Sequence, residues 1–100
     1  MSCGAPEQGG DLPVGIDLGK QTVLTGRVVA AGQPVGGAYV RLLDGTGEFT
    51  AEVITSAAGD FRFFAAPGTW TLRALARAGT GQTELVADGP GLHSAELALG

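Results

Sequence analysis

Hydrophobic and polar residues alternate along this chain in short runs, with no convincing stretch of the 3.6-residue period that an amphipathic helix requires. The clearest alternation lies at 59–72. Phe61 and Phe63 alternate with Asp60 and Arg62, and Trp70 and Leu72 alternate with Thr71 and Arg73. That is the period of a half-buried strand, whose successive side chains point to opposite faces. Between the two runs sits Ala66-Pro67-Gly68-Thr69. Proline presets the dihedral at the second turn position and glycine accepts a positive one at the third, which is type II turn chemistry. Two strands joined by a tight reversal follow, with Phe61, Phe63, Trp70 and Leu72 directed into one core.

The same pattern predicts strands over 22–30, 38–43, 50–55, 60–65, 69–77, 82–86 and 92–99, separated by Gly- and Pro-bearing turns. Leu24, Gly26 and Val28 share one face of the first strand. Ala38, Val40 and Leu42 point inward from the second, with Tyr39, Arg41 and Leu43 outward. Residues 72–78 have good helix propensity, but their continuity with the Trp70 run makes them strand. The expected fold is all-β, a seven-stranded antiparallel Greek-key sandwich over 21–100. Residues 1–20 form an N-terminal arm, of which 1–10 are polar, Gly-rich and expected to be disordered. In 11–19, Leu12, Val14, Ile16 and Leu18 alternate with Asp11, Pro13, Gly15, Asp17 and Gly19. Proline and glycine exclude a central strand there. The stretch reads either as an extended arm on the domain's own surface or as one that docks on a partner.

Length and charge narrow the function classes. One hundred residues make one domain with a modest core. A net charge of −4, with Lys20 as the one lysine, argues against a nucleic-acid backbone as partner. No apolar run approaches the roughly 20 residues of a membrane-spanning helix. The Met-Ser-Cys-Gly-Ala-Pro-Glu-Gln start reads as neither a signal peptide nor a lipoprotein leader. A single cysteine makes no internal disulfide, so a reducing cytoplasm is the simplest compartment.

Candidate chemistry is sparse. The chain has one His, one Cys, one Tyr and no Asn. A Ser-His-Asp site would have to use His93, which falls in a predicted strand and reads better as a solvated or capped strand histidine. A structural zinc site needs about four Cys or His ligands, so no metal and no cofactor are expected. Asp44-Gly45-Thr46-Gly47-Glu48 lacks the ligand spacing of a calcium-binding hand and reads as a hairpin turn. Cys3, in the arm, is the one reactive group. An exposed thiol carries only a few per cent thiolate, as a rough figure, at neutral pH. It stands either as an incidental thiol or, once a partner supplies positive charge, as a sulfur acceptor.

The runs Thr25-Gly26-Arg27-Val28-Val29, Gln33 through Leu42, Thr55 through Phe63, and Ala66 through Leu72 resemble the carboxypeptidase regulatory-like, transthyretin-type sandwich over about 21–78. The whole chain, including Cys3 and the Phe-Phe-Ala-Ala-Pro-Gly run, resembles a small bacterial family of unknown function called SseC-like. The first resemblance implies one sheet from 60–65, 22–30 and 92–99, and another from 50–55, 38–43, 69–77 and 82–86. Tyr39, Arg41 and Leu43 then lie beside Thr71, Arg73 and Leu75 on an outer face, a mixture with the composition of an interface core. Phe64, beside Val23 and Val29, makes a second outward cluster. Dioxygenases of this fold bind iron through several Tyr and His, and its hydrolases need more than one His and a characteristic C-terminal tail. This chain lacks those residues and ends Glu-Leu-Ala-Leu-Gly. Most regulatory-like domains are secreted appendages, whereas the start of this chain does not read as a leader, so no cell-surface role is expected. The second resemblance implies a link to sulfur metabolism, because that family is encoded beside rhodanese-type thiosulfate sulfurtransferases. The expected function is therefore a non-catalytic, protein-binding or accessory sandwich. It would be a partner of such a sulfurtransferase, or its sulfur acceptor through Cys3. Interface residues would be Tyr39, Arg41, Leu43, Phe64, Arg73 and Leu75, and the same patches would serve a homo-oligomer. The alternative is a ligand-binding, carbohydrate-binding-like module.

Overall fold

The computed structural model describes residues 17–100. Its elements are β1 (Thr22–Ala30), β2 (Gln33–Pro34), β3 (Tyr39–Leu43), β4 (Phe49–Ile54), β5 (Asp60–Phe64), β6 (Gly68–Ala76), β7 (Gly79–Ala87) and β8 (Gly91–Leu99). Among the described residues there is no helix, so none is long and apolar enough to cross a membrane. The stretch 72–78 is the end of β6 and the turn after it, as continuity with Trp70 requires.

The strands form two sheets packed face to face. One has β1 at its centre, with β5 antiparallel along one edge and β8 along the other. The other runs β4-β3-β6-β7, antiparallel throughout. The fold is thus the expected all-β sandwich, with three differences of detail. First, an eighth strand, β2, is a two-residue rung that folds back onto the end of β1, with Ala31 and Gly32 both at positive φ (51° and 81°) in the turn. Second, β1 and β8 pair in parallel over nine residues, Thr22 opposite Gly91 through Ala30 opposite Leu99. Third, β7 begins at Gly79, so the turn before it is only Arg77-Ala78. Gly81 lies within that strand, where a Cβ would overlap the Ala98 carbonyl of β8. The absent side chain serves close packing there rather than a turn. Gly100 N–H also donates to Thr80 O at 3.1 Å, so the sandwich is drawn shut along the β7/β8 side.

The core is built by the predicted inward residues. Leu24 and Val28 of β1, Val40 and Leu42 of β3, Phe61 and Phe63 of β5, Leu72 and Ala74 of β6, and Leu97 and Leu99 of β8 form one buried cluster. The Phe61 and Phe63 rings meet at 6.1 Å between centroids, tilted by 57°, a favourable aromatic geometry. Gly26 lies between Phe61 and Ala95 in the sheet, and a Cβ on it would stand 2.6 Å from Phe61 Cζ and overlap the Ala95 carbonyl.

Trp70 is half-buried rather than buried. It packs against the edge of the core cluster, and its indole N–H donates to Ala66 O at 2.9 Å. The Ala66–Thr69 corner is a bend rather than a hydrogen-bonded type II turn, because it carries the chain from β5 in one sheet to β6 in the other.

Phe61→Ala is expected to lower the unfolding free energy by about 3–5 kcal/mol, the range for a fully buried phenylalanine. Trp70→Ala should cost less, because part of its ring is already in water. Urea titrations of both variants check this. A larger loss at Trp70 would show that the sandwich end, not its centre, carries the packing.

Candidate functional site

The residues singled out as an interface lie mostly on the outer face of β4-β3-β6-β7. The pairing places Ile54, Tyr39, Leu75 and Thr80 in one row across the four strands, and Glu52, Arg41, Arg73 and Gln82 in the next. Tyr39 is 49% exposed and Ile54 39%, while Leu75 is half-buried. Arg41 Nε bonds Glu52 Oε2 at 2.7 Å, and Arg73 Nε bonds Gln82 Oε1 at 3.1 Å. The row beside the apolar one is therefore a line of partnered polar groups. These exposed pairs orient the arginines and add less than about 1 kcal/mol each to stability. A groove of about 570 Å³ opens beside Tyr39 and Leu75, lined also by Val35, Gly37, Ala76 and Arg77.

Leu43 corrects the sequence expectation. It points outward, opposite Thr71, but is only 8% exposed. The β3–β4 register shifts between Leu42 and Leu43, and the bulge sets Leu43 opposite Phe49, which is itself 61% exposed. Phe49, not Leu43, is therefore the exposed apolar residue of this rung. Ile54 and Phe49 were not assigned to the patch from sequence. Ile54 shares the face of the polar Glu52, two residues before it and opposite to that of Val53, and this parity carried the signal for the first, whereas the bulge hid the second.

The outer face of β5-β1-β8 also departs from expectation. Phe64 is exposed, opposite Val23, but Val23 is fully buried. Val29 lies six residues along β1, about 20 Å away at strand rise, opposite Pro34 and Ala98. It does not join Phe64. Leu92 does, from β8, opposite Val23 and 48% exposed. The next rows on this face are polar, Arg62-Thr25-Ser94 and Asp60-Arg27-Glu96, with Arg27 Nε 3.3 Å from Asp60 Oδ1.

His93 is half-buried at the inner-facing start of β8, opposite Leu24. Its Nε2 lies 2.8 Å from Gly89 O, which assigns the ring proton to Nε2 as donor. The buried Thr22 hydroxyl donates to the same carbonyl at 3.2 Å. The single histidine thus pins the β7–β8 connection. Asp44 forms the hairpin turn expected of it. Its Oδ1 accepts from Thr46 Oγ1 (2.6 Å), Thr46 N (2.9 Å) and Glu48 N (3.0 Å). The Thr46 hydroxyl first, and these backbone amides with it, hold the Asp44 carboxyl below the usual carboxylate range. Among the described residues, no group of three or more His, Cys, Asp or Glu could hold a metal ion. Cys3 and the 11–16 part of the arm lie outside the described residues.

Two face-packed sheets in this strand order define a transthyretin-like β-sandwich. The chain superposes on Klebsiella pneumoniae 5-hydroxyisourate hydrolase with a TM-score of 0.59 at 23% identity, covering 78% of this chain and 84% of that one. On the dioxygenase domain of a dioxygenase–carbohydrate-binding protein fusion from Streptomyces sp. SirexAA-E the TM-score is 0.60 at 15% identity, covering 88% and 84%. At these identities the likeness is one of fold. By sequence, the chain belongs to the family described as protein of unknown function DUF1416, which matches residues 3–99. An uncharacterized protein of Mycobacterium tuberculosis strain H37Rv is 58% identical over 98 residues, covering 97% of this chain and 98% of the relative. One from Mycolicibacterium smegmatis is 62% identical over 87 residues, covering 86% and 97%.

Because the folded-state value of Asp44 is lowered, its turn is stabilised above the unfolded-state value and loses that stabilisation as pH falls through the folded one. A carboxyl-detected NMR titration should place the Asp44 midpoint below that of an aspartate in an unstructured peptide. A midpoint at or above the peptide value would mean that the three donors do not favour the ionised form.

Proposed function

We propose that this chain is a non-catalytic accessory protein of the cytoplasm that docks a second protein on the outer face of β4-β3-β6-β7. The observation that carries the reading is the Ile54–Tyr39–Leu75 row. Apolar side chains of three adjacent strands stand in line at the surface, bordered by Arg41–Glu52 and Arg73–Gln82. An aromatic and aliphatic centre with an oriented arginine rim is the composition of a protein interface. The commitment of His93 to Gly89 supports a structural rather than a catalytic role for that ring.

The partner we infer is a rhodanese-type thiosulfate sulfurtransferase, on the resemblance of the whole chain to the SseC-like family. In that pairing Cys3 is the sulfur acceptor. Its thiolate attacks the outer sulfur of the enzyme's cysteine persulfide. The enzyme's S–S bond breaks, its thiolate leaves, and the sulfane sulfur remains on Cys3 with no net oxidation. The acidic character of the chain, Glu7 in the arm included, suits a basic active-site rim, which would also lower the Cys3 pKa on docking. A carbohydrate-binding reading is weaker, because Tyr39 and Phe64 face outward from opposite sheets and form no common platform.

With thiosulfate and the sulfurtransferase, intact mass should show one added sulfur on Cys3, and none with thiosulfate alone. Cys3→Ser should abolish the adduct without moving Tm. Tyr39→Asp should weaken capture of the enzyme at least about tenfold, the scale of an interface anchor, and slow the transfer. Unmodified Cys3 beside an active enzyme would remove the acceptor role. Undiminished capture by the Tyr39 variant would remove this face as the docking site.

A further inference from the structure

Val23 is fully buried, yet it lies outside the core cluster and on the outer face of its sheet. Phe64 and Leu92, opposite it on the two neighbouring strands, are 53% and 48% exposed. A valine on a central strand's outer face, with half its flanking side chains' surface in water, does not reach complete burial from its sheet neighbours alone. Something apolar belongs over this row. The described chain begins at Asp17, five residues before Val23's neighbour Thr22, at the same end of the sheet. Asp17 O accepts the amides of Lys20 at 3.0 Å and Gln21 at 2.7 Å, and Asp17 Oδ1 accepts the Gly19 amide at 2.9 Å, closing a tight turn. Just after this turn, Lys20, Gln21 and Thr22 line one groove with Phe64, so the described start of the chain lies at the Phe64 end of the row. Leu18, the last member of the series Leu12, Val14, Ile16 and Leu18, is already half-buried in that turn.

We propose that the segment 11–16 seats its apolar face, Leu12, Val14 and Ile16, on the Phe64–Val23–Leu92 row of its own domain. Reach is sufficient. Six extended residues span about 20 Å, and three strands are about 10 Å across. Tethering favours this occupant over an outside one, because a short linker sets an effective concentration of order millimolar. Pro13 and Gly15 do not oppose it, since packing on a face needs no ladder hydrogen bonds from the segment. The arm thereby covers one of the two apolar outer faces and leaves the Ile54–Tyr39–Leu75 row as the exposed one. The proposal does not depend on the identity of any docking partner.

The chain has two isoleucines, Ile16 in the arm and Ile54 on the opposite outer face, so selective labelling of isoleucine δ1 methyls gives two NMR signals. In the full chain Ile16 should show nuclear Overhauser contacts to Val23 and to the Phe64 ring. Leu92→Ala, at an exposed position, should move the Ile16 signal and leave Ile54 in place. Both effects should persist on dilution across the range in which sedimentation shows a monomer. An Ile16 signal at the free-peptide position with no contacts would overturn the proposal. Contacts that vanish on dilution would overturn it too, by assigning the face to a second copy of the chain.

Discussion

The fold turns on the absence of a side chain at Gly26. Among the described residues, β1 is the one strand of its sheet with neighbours on both edges, antiparallel β5 and parallel β8. At Gly26 those neighbours press closest, with the Phe61 ring on one side and the Ala95 carbonyl on the other. A Cβ would have to displace a core aromatic or a strand of the sheet. The bare backbone lets Phe61 lie across the sheet centre and tilt against Phe63, and from that pair the core extends to Leu24, Leu72 and Leu97. A second close approach, Gly81 against Ala98, does the same for the β7/β8 side. The first approach lies within one sheet, and the second brings an edge strand of each sheet together.

Much of this was legible in the sequence. The alternation around Phe61, Phe63 and Leu72 gave the strands and their inward faces, because a two-residue period has only two outcomes and apolar residues favour one of them. The neighbours of each strand came from the resemblance to a known sandwich. What alternation could not carry was anything set by a distant strand. The parallel direction of β8 on β1 joins the two ends of the domain, and parallel or antiparallel pairing leaves the same alternating pattern in each strand. Gly79 and Gly81 read as a turn, because close packing against β8 and a positive dihedral both call for glycine.

The candidate site shows the same limit at finer scale. Parity put Tyr39, Arg41, Arg73 and Leu75 on one outer face, and they are there together. Parity also put Leu43 and Val23 on outer faces, and each is outward in register but buried. The face a residue points to is local information. Whether it is exposed depends on more distant strands: at the β3–β4 bulge Leu43 is buried while Phe49, opposite it, is exposed. Cys3 had a chemical signal and no structural one, since a thiol in a polar, Gly-rich stretch has no pattern that fixes its surroundings.

The parallel pairing of β1 and β8 also governs how the domain answers to force. The chain enters β1 at Thr22 and leaves β8 at Leu99, at opposite ends of one nine-residue ladder. A pull on the two ends of the domain runs along both strands in opposite senses. It loads the evenly spaced bonds of the ladder together in shear, where a hairpin pulled from its open end would release them one at a time. The domain is built to yield all at once under tension, at the seam where its first and last strands meet.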